Sequence, residues 1–273
     1  MNALFVAYKP PFLTSNALLG RLKRKYRVKK AGFSGTLDPF ACGTLIIAFG
    51  AYTKLFRFLK KYPKRYRTTL WLGAKSKTLD IEGIESIEEV KPLDTQKVQE
   101  VLQSFQGTFT YTPPIFSAKK IGGKRAYEFA HNNQNVELPE VTSTIYEIKL
   151  LAYRHPFVTF EAEVSEGTYI RSLGEAIAQS LGTVGALSYL ERLSEGAFFY
   201  ENERPLDPLK YLISQPNETR LPPQAIYNGK KLTRSDLLIQ KDGLYHLVFE
   251  EFFAIIEVKG TKVNYLLNQM PRK

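Results

Sequence analysis

The chain has 273 residues, 44% apolar and 24% charged, with a net charge of +11; it is long enough for one good core and a small second unit. No window approaches the roughly eighteen continuous apolar residues of a membrane span, and the N-terminus lacks the cationic-then-apolar order of a signal peptide, so a cytoplasmic protein away from membranes is expected. A single cysteine, Cys42, excludes an internal disulfide and a cysteine-based zinc cluster, and His131, His155 and His246 lack metal-ligand spacing, so no metal is expected.

The charge is one-sided. Residues 1–77 hold 17 Lys or Arg against one acid, Asp38, while the remainder holds 21 against 26. Such asymmetry is an electrostatic footprint for a polyanion; a merely solvated basic face is the plainer alternative.

In chain order, Ala3 to Tyr8 is short, apolar and closed by Lys9-Pro10-Pro11, which predicts a strand and a turn. Thr14 or Ser15 caps a helix over about 16–26, with Leu18, Leu19, Leu22 and Tyr26 on one face and Arg21, Lys23, Arg24, Lys25 and Arg27 on the other. Residues 31–44 follow, a glycine-rich loop that holds Asp38 before Pro39. Glycines at 32, 35 and 43 permit close backbone approach and Pro39 fixes φ just past the acid. Nearby cations should lower the pKa of Asp38 and leave it an ionised nucleophile or base; the plainer reading is an Asp-Pro turn.

Thr44 to Phe49 reads as a buried strand and 51–60 as a helix. Lys60, Lys61, Lys64, Arg65 and Arg67 bracket Tyr62 and Tyr66, a mixture suited to stacking bases and neutralising phosphates. In the alternating strand from Arg65 to Leu72, Tyr66 shares the apolar face, where an ordinary core tyrosine is the alternative. Residues 78–94 are acidic and loop-like, Asp94-Thr95 starts a helix, 112–120 is proline-stiffened, and a short helix is expected at Arg125–His131. Strand patterns cover 143–153 and 156–164; Ser165–Arg171 turns into a helix containing Leu173, Ile177 and Leu181. Ala186–Leu193 reads as another helical piece, Asp207–Ile213 as a last short helix, 214–223 as linker-like, and 225–270 as a small β module.

These residues narrow the chemistry. The basic segment holds one carboxylate, too few for two-metal phosphodiester hydrolysis, and there is neither a Walker loop nor a dinucleotide fingerprint. No histidine stands near the loop to activate a serine or cysteine. What fits is a cofactor-free reaction of one aspartate on the base or glycosidic bond of a nucleotide flipped out of a nucleic acid.

Gly35-Thr-Leu-Asp-Pro39 with Gly43, Lys64-Arg-Tyr-Arg67, Pro113-Pro-Ile-Phe-Ser-Ala-Lys119 and Gly167-Thr-Tyr-Ile-Arg171 together resemble the TruB family of tRNA pseudouridine synthases, and the Lys9-Pro10 and Thr14-Ser15 pairs match too. The resemblance implies an α+β pseudouridine synthase fold with a mixed, mostly antiparallel sheet over 1–213. A linker at 214–220 and a reduced PUA-like β module at 221–273, assigned by position, complete that expectation. It implies isomerisation of a T-arm uridine of tRNA, at position 55 of the TΨC loop, with no cofactor.

By the same resemblance, Asp38 is the catalytic carboxylate, Arg171 its guanidinium partner, and Tyr66 the residue stacked on the flipped uracil, with a share in handling the C5 proton. Tyr169 and Leu190 line the uracil pocket, with ordinary core residues as the alternative. Phe33 stands where bacterial relatives commonly have a histidine that occupies the space of the extruded nucleotide. Phenylalanine can fill that space but donates no hydrogen bond. Arg21, Lys23, Arg24, Lys64, Arg65, Arg67 and Lys119 are expected on the RNA backbone. A monomer with no obligate protein partner is expected; the alternatives are a non-catalytic tRNA-folding chaperone on the same fold, or a guide-dependent relative acting on ribosomal RNA.

Overall fold

The structure is a computed structural model. It describes residues 1–116 and 138–272, together with the backbone of 120–121 and 124–125. The N-terminal part is built from β1 (Ala3–Lys9), α1 (Ser15–Lys25), β2 (Ala31–Ser34), β3 (Cys42–Phe49), β4 (Lys64–Leu72), β5 (Ala74–Ser76), β6 (Ile84–Ile87), α2 (Thr95–Ser104) and β7 (Gly107–Tyr111). After β8 (Lys120–Ile121) and β9 (Lys124–Arg125) come β10 (Val141–Arg154), β11 (Phe157–Val164), α3 (Ile170–Ser180), β12 (Gly185–Glu195) and β13 (Phe198–Phe199). The chain ends with β14 (Gln215–Asn217), α4 (Pro223–Tyr227), β15 (Gly243–Val248), β16 (Phe252–Lys259) and β17 (Lys262–Pro271).

One large sheet runs β1-β3-β12-β4-β11-β10-β7, antiparallel except where β12 meets β3 at Cys42 and Gly43. This is the mixed, mostly antiparallel sheet expected. Its alternation places Tyr66, Leu70, Phe160, Ala162 and Val164 in one apolar cluster with Leu173 and Ile177 of α3 and Val98 and Leu102 of α2. The helices thus cover the face that also carries Tyr66.

Ala186–Leu193, expected as helical, is instead the strand β12 at the centre of this sheet. The pairing with β4 slips between Leu187 and Tyr189, a bulge that brings Leu187 and Leu190 onto the same face three residues apart. A bulged strand therefore imitates helical spacing. The expected helices at 51–60 and 207–213 are 3-10 segments, Gly50–Phe58 and Pro208–Tyr211. The helix expected at 125–131 lies outside the described residues, apart from Arg125, which is in β9.

The second sheet runs β14-β15-β16-β17. Residues 214–220, expected as a linker, hold β14, which pairs in parallel with β15. The polar side chains that make this stretch look like a linker are satisfied locally. Ser214 Oγ lies 2.9 Å from His246 Nδ1, and the Asn217 amide both donates to and accepts from the backbone of Ile239. Phe253, Ile255 and Met270 of the second sheet share a cluster with Leu4, Val6, Ile46 and Ala48 of β1 and β3, so the small sheet buttresses the back of the large one.

Phe253 is fully buried in that shared cluster, and Phe253→Ala is expected to lower stability by about 3–5 kcal/mol and to weaken both sheets together. Hydrogen exchange in β3 and β16 along a denaturant series checks this; separate transitions for the two strands would contradict it.

Candidate active site

Asp38 sits in the loop between β2 and β3, and three contacts set that loop in place. The Ser15 hydroxyl at the start of α1 accepts from Leu37 N–H at 3.1 Å and donates to the Leu37 carbonyl at 3.2 Å. The Lys9 ammonium donates to the carbonyls of Pro10, Leu13 and Pro39 at 3.0, 2.6 and 3.0 Å. Arg192 Nη2 donates to the Gly35 carbonyl at 2.9 Å. A carboxylate on an otherwise adaptable loop is thereby fixed from the residues on either side.

Arg171, on the first turn of α3, meets that carboxylate. Its Nε lies 2.9 Å from Asp38 Oδ2, with the arginine side chain 4% exposed and the aspartate 36%. Nη1 donates to the Thr78 carbonyl at 2.8 Å and lies 3.4 Å from Asp80 Oδ2, and Nη2 donates to the Phe116 carbonyl at 2.9 Å. Asp80 is itself held by Thr78 Oγ1 at 2.6 Å and Glu82 N–H at 3.0 Å. A buried guanidinium thus joins four chain segments, and its planar fork suits several acceptors at once in a way an ammonium does not.

Burial pushes the Asp38 carboxyl above the ordinary aspartate range; Arg171 pulls it down, Asp80 pushes it up again, and Lys9 opposes more weakly. The cationic surroundings alone predict the opposite direction. Desolvation reverses it, leaving an anion of raised basicity. Burial also pulls the Lys9 ammonium down to about 8.

Asp38 opens onto a cavity of about 300 Å³ that Tyr66, Tyr169, Arg171 and Leu190 also line, with Lys64 and Arg192. The structure therefore brings together Asp38, Tyr66, Tyr169, Arg171 and Leu190 from sites spread over more than half the chain. Phe33 is not among the lining residues; it is half-buried against the cluster between β1, β3 and α1.

Lys64, Arg65 and Arg67, each expected on the RNA backbone, are divided by the strand pleat. Lys64 is buried on the Tyr66 face, 3.3 Å from Glu195. Arg65 and Arg67 project from the opposite face and share Glu161 at 2.9 and 2.7 Å. Arg21 and Arg24 are exposed and Lys23 half-exposed on α1, and none of the three forms an ion pair among the described residues. Lys119 lies outside the described residues.

Sequence reasoning missed Asp80, the clamping role of Lys9, and Glu195. For Asp80 one signal existed: it is the first acid after Asp38.

The site is thus a tyrosine-walled cavity on a mixed sheet, with one carboxylate held by a buried guanidinium. The sequence pattern of the TruB family pseudouridylate synthase N-terminal domain matches residues 23–170, and the chain belongs to that family. A relative from a Nitratiruptor species, named tRNA pseudouridine synthase B, is 66% identical over 100% of this chain and 99% of its own length. A protein of the same name from Campylobacter jejuni is 47% identical over 100% of both. Among solved structures, the Cbf5-Nop10-Gar1 complex holds a chain with the same fold, at a TM-score of 0.71 and 21% identity, covering 99% of this chain and 85% of that one.

The titrating groups predict a bell-shaped pH profile for pseudouridine formation. With an ionised Asp38 as the expected reacting group, the rate falls as pH drops through a value above the ordinary aspartate range. As pH rises through about 8, Lys9 loses a proton and one donor of its clamp on the loop around Asp38, and the rate is expected to fall again. Single-turnover rates against pH check both limbs, and the alkaline fall is expected to vanish in Lys9→Met, at a lower plateau.

Proposed function

We propose that this chain converts a uridine in the T-arm of tRNA, at position 55 in the TΨC loop, to pseudouridine, without a cofactor. The observation that carries the reading is the Asp38 carboxylate, opening onto a tyrosine-walled cavity while Arg171 holds it from behind. The names of the relatives support tRNA as the substrate.

In this reading the target nucleotide leaves the helical stack and enters the cavity with its uracil against Tyr66 and between Tyr169 and Leu190. The N1–C1′ bond breaks, the uracil turns, and C5 bonds to C1′; the C5 proton leaves and N1 takes one up. Asp38 attacks C1′, adds to C6 of the ring, or removes a sugar proton. Each role needs the ionised carboxylate, and each gains from the basicity that burial confers. Arg171 fixes its direction and stabilises the charge. Tyr66 supplies the stacking surface and is placed to handle the C5 proton.

The cations of α1, exposed Arg21 and Arg24 and half-exposed Lys23, neutralise phosphates of the RNA backbone. Phe33, at the edge between α1 and the catalytic loop, fills the space the flipped nucleotide leaves in the RNA. Residues 1–213 form the catalytic unit, and the C-terminal sheet is the PUA-like RNA-contacting module. The chain works as a monomer in the cytoplasm.

Asp38→Asn is expected to abolish pseudouridine formation while tRNA affinity stays within about threefold, since phosphate contacts supply most of the affinity. Mass spectrometry of T-arm nucleosides after treatment with each variant reads the first, and filter binding at several salt concentrations the second. An active Asn variant removes Asp38 from the mechanism. Tyr66→Phe retains the ring, so a rate loss of about 100-fold or more assigns the hydroxyl to proton transfer, and a loss below tenfold leaves Tyr66 with stacking alone.

A further inference from the structure

Glu195 ends β12, is fully buried, and takes no part in the chemistry described above. Its Oε1 lies 2.9 Å from Arg192 Nη2 and its Oε2 3.3 Å from Lys64 Nζ. Arg192, 1% exposed, donates through Nε to the Thr44 carbonyl and through Nη2 to the Gly35 carbonyl, both at 2.9 Å. Gly35 and Thr44 stand on either side of Asp38, so one guanidinium spans both ends of the catalytic loop. The packing there is tight. Gly35 has φ +64°, and a Cβ on it would lie 3.1 to 3.3 Å from Lys64 Nζ, Glu195 Oε2 and Arg192 Nη1.

Stability alone does not account for this cluster. Buried ion pairs are often replaceable by apolar side chains without loss. An apolar group, however, would leave the two loop carbonyls without donors, and Lys64 and Arg192 also line the cavity with Asp38. Arg192 and Lys64 are two buried cations a short distance apart, and a carboxylate between them lets both remain.

We propose that Glu195 is a positioning residue for the isomerisation: it holds Arg192 across the two ends of the loop and Lys64 against the cavity wall, and so sets the reach of Asp38 toward the nucleotide. The proposal rests on Asp38 being the catalytic carboxylate. Glu195→Gln keeps the size and removes the charge; one of the two cations then moves out of the cluster and the loop loosens.

The test compares the full-length wild type with Glu195→Gln, Arg192→Lys and the double variant, on a transcribed tRNA. The single-turnover rate at saturating tRNA is expected to fall about 10- to 100-fold in Glu195→Gln, with tRNA affinity within about threefold, because small misplacements of a reacting group cost that much. Hydrogen exchange is expected to quicken in peptides spanning 35–44 and to stay unchanged in β15 and β16. Arg192→Lys, whose single ammonium does not reach both carbonyls, gives the same signature. The double variant loses no more than about twofold beyond the worse single variant.

A folded Glu195→Gln with the full rate overturns the proposal. So does a rate loss matched by an equal loss of affinity, or by faster exchange throughout the chain. If Glu195→Gln does not fold, Glu195→Asp, which keeps the charge and shortens the reach, is read by the same criteria. Asp38→Asn alongside separates the two readings: if it is active, the underlying assignment fails, and if it is inert while Glu195→Gln is fully active, only this proposal fails.

Discussion

A guanidinium buried between two carboxylates is the constraint on which the rest of this structure turns. Arg171 is almost wholly removed from water, and a lone charge so placed would be strongly disfavoured. It persists because Asp38, Asp80 and the carbonyls of Thr78 and Phe116 meet its donors from three separate stretches of chain. Those stretches are the loop around Asp38, the turn after β5 and the proline-stiffened segment after β7, and Arg171 joins them to the start of α3. Folding of each is thereby coupled to the same side chain.

The charge balance at this point opposes that of its surroundings. One guanidinium between two carboxylates leaves an excess negative charge at the base of a cavity, inside a segment that is otherwise heavily cationic. The wide field attracts a polyanion at long range, whereas the excess anion acts at short range. Burial, with Asp80 adding to it, keeps the Asp38 carboxyl more basic than a surface aspartate even with an arginine against it.

Much of this was legible in the sequence. The 16–26 amphipathic pattern, the alternating strand holding Tyr66 and the glycine-rich loop around Asp38 all depend on neighbours close in the chain, and local spacing reports them. Asp80 was not legible as a partner of Arg171, because the contact spans 91 residues and the acid lies in a stretch that reads as a solvated loop. The β12 strand was misread since its bulge at Leu187–Tyr189 shifts inward-facing residues to a spacing of three. Parity along β4 separates Lys64 from Arg65 and Arg67, yet composition presents them as one basic run. What sequence patterns obscure here is which face a charge occupies.

The loop around Asp38 is held by apolar and ionic contacts together: Leu37 and Phe40 are buried in the main core, and two buried guanidinium groups bind the same stretch. Arg171 binds the Asp38 carboxylate itself, whereas Arg192 binds the carbonyls of Gly35 and Thr44 at the loop's two ends and pairs with Glu195. The first contact borders the cavity through the partly exposed Asp38 carboxylate, whereas the second is almost wholly buried and balanced by a carboxylate of its own. Behind both, β1 and β3 are held by the second sheet through a shared apolar cluster, and the strand that leads out of the loop has little freedom. Burial thus deepens outward from Asp38, from a partly exposed carboxylate on a buried guanidinium, to a buried ion cluster, to packed hydrocarbon. Such layering ties the one accessible carboxylate to a frame of progressively drier contacts.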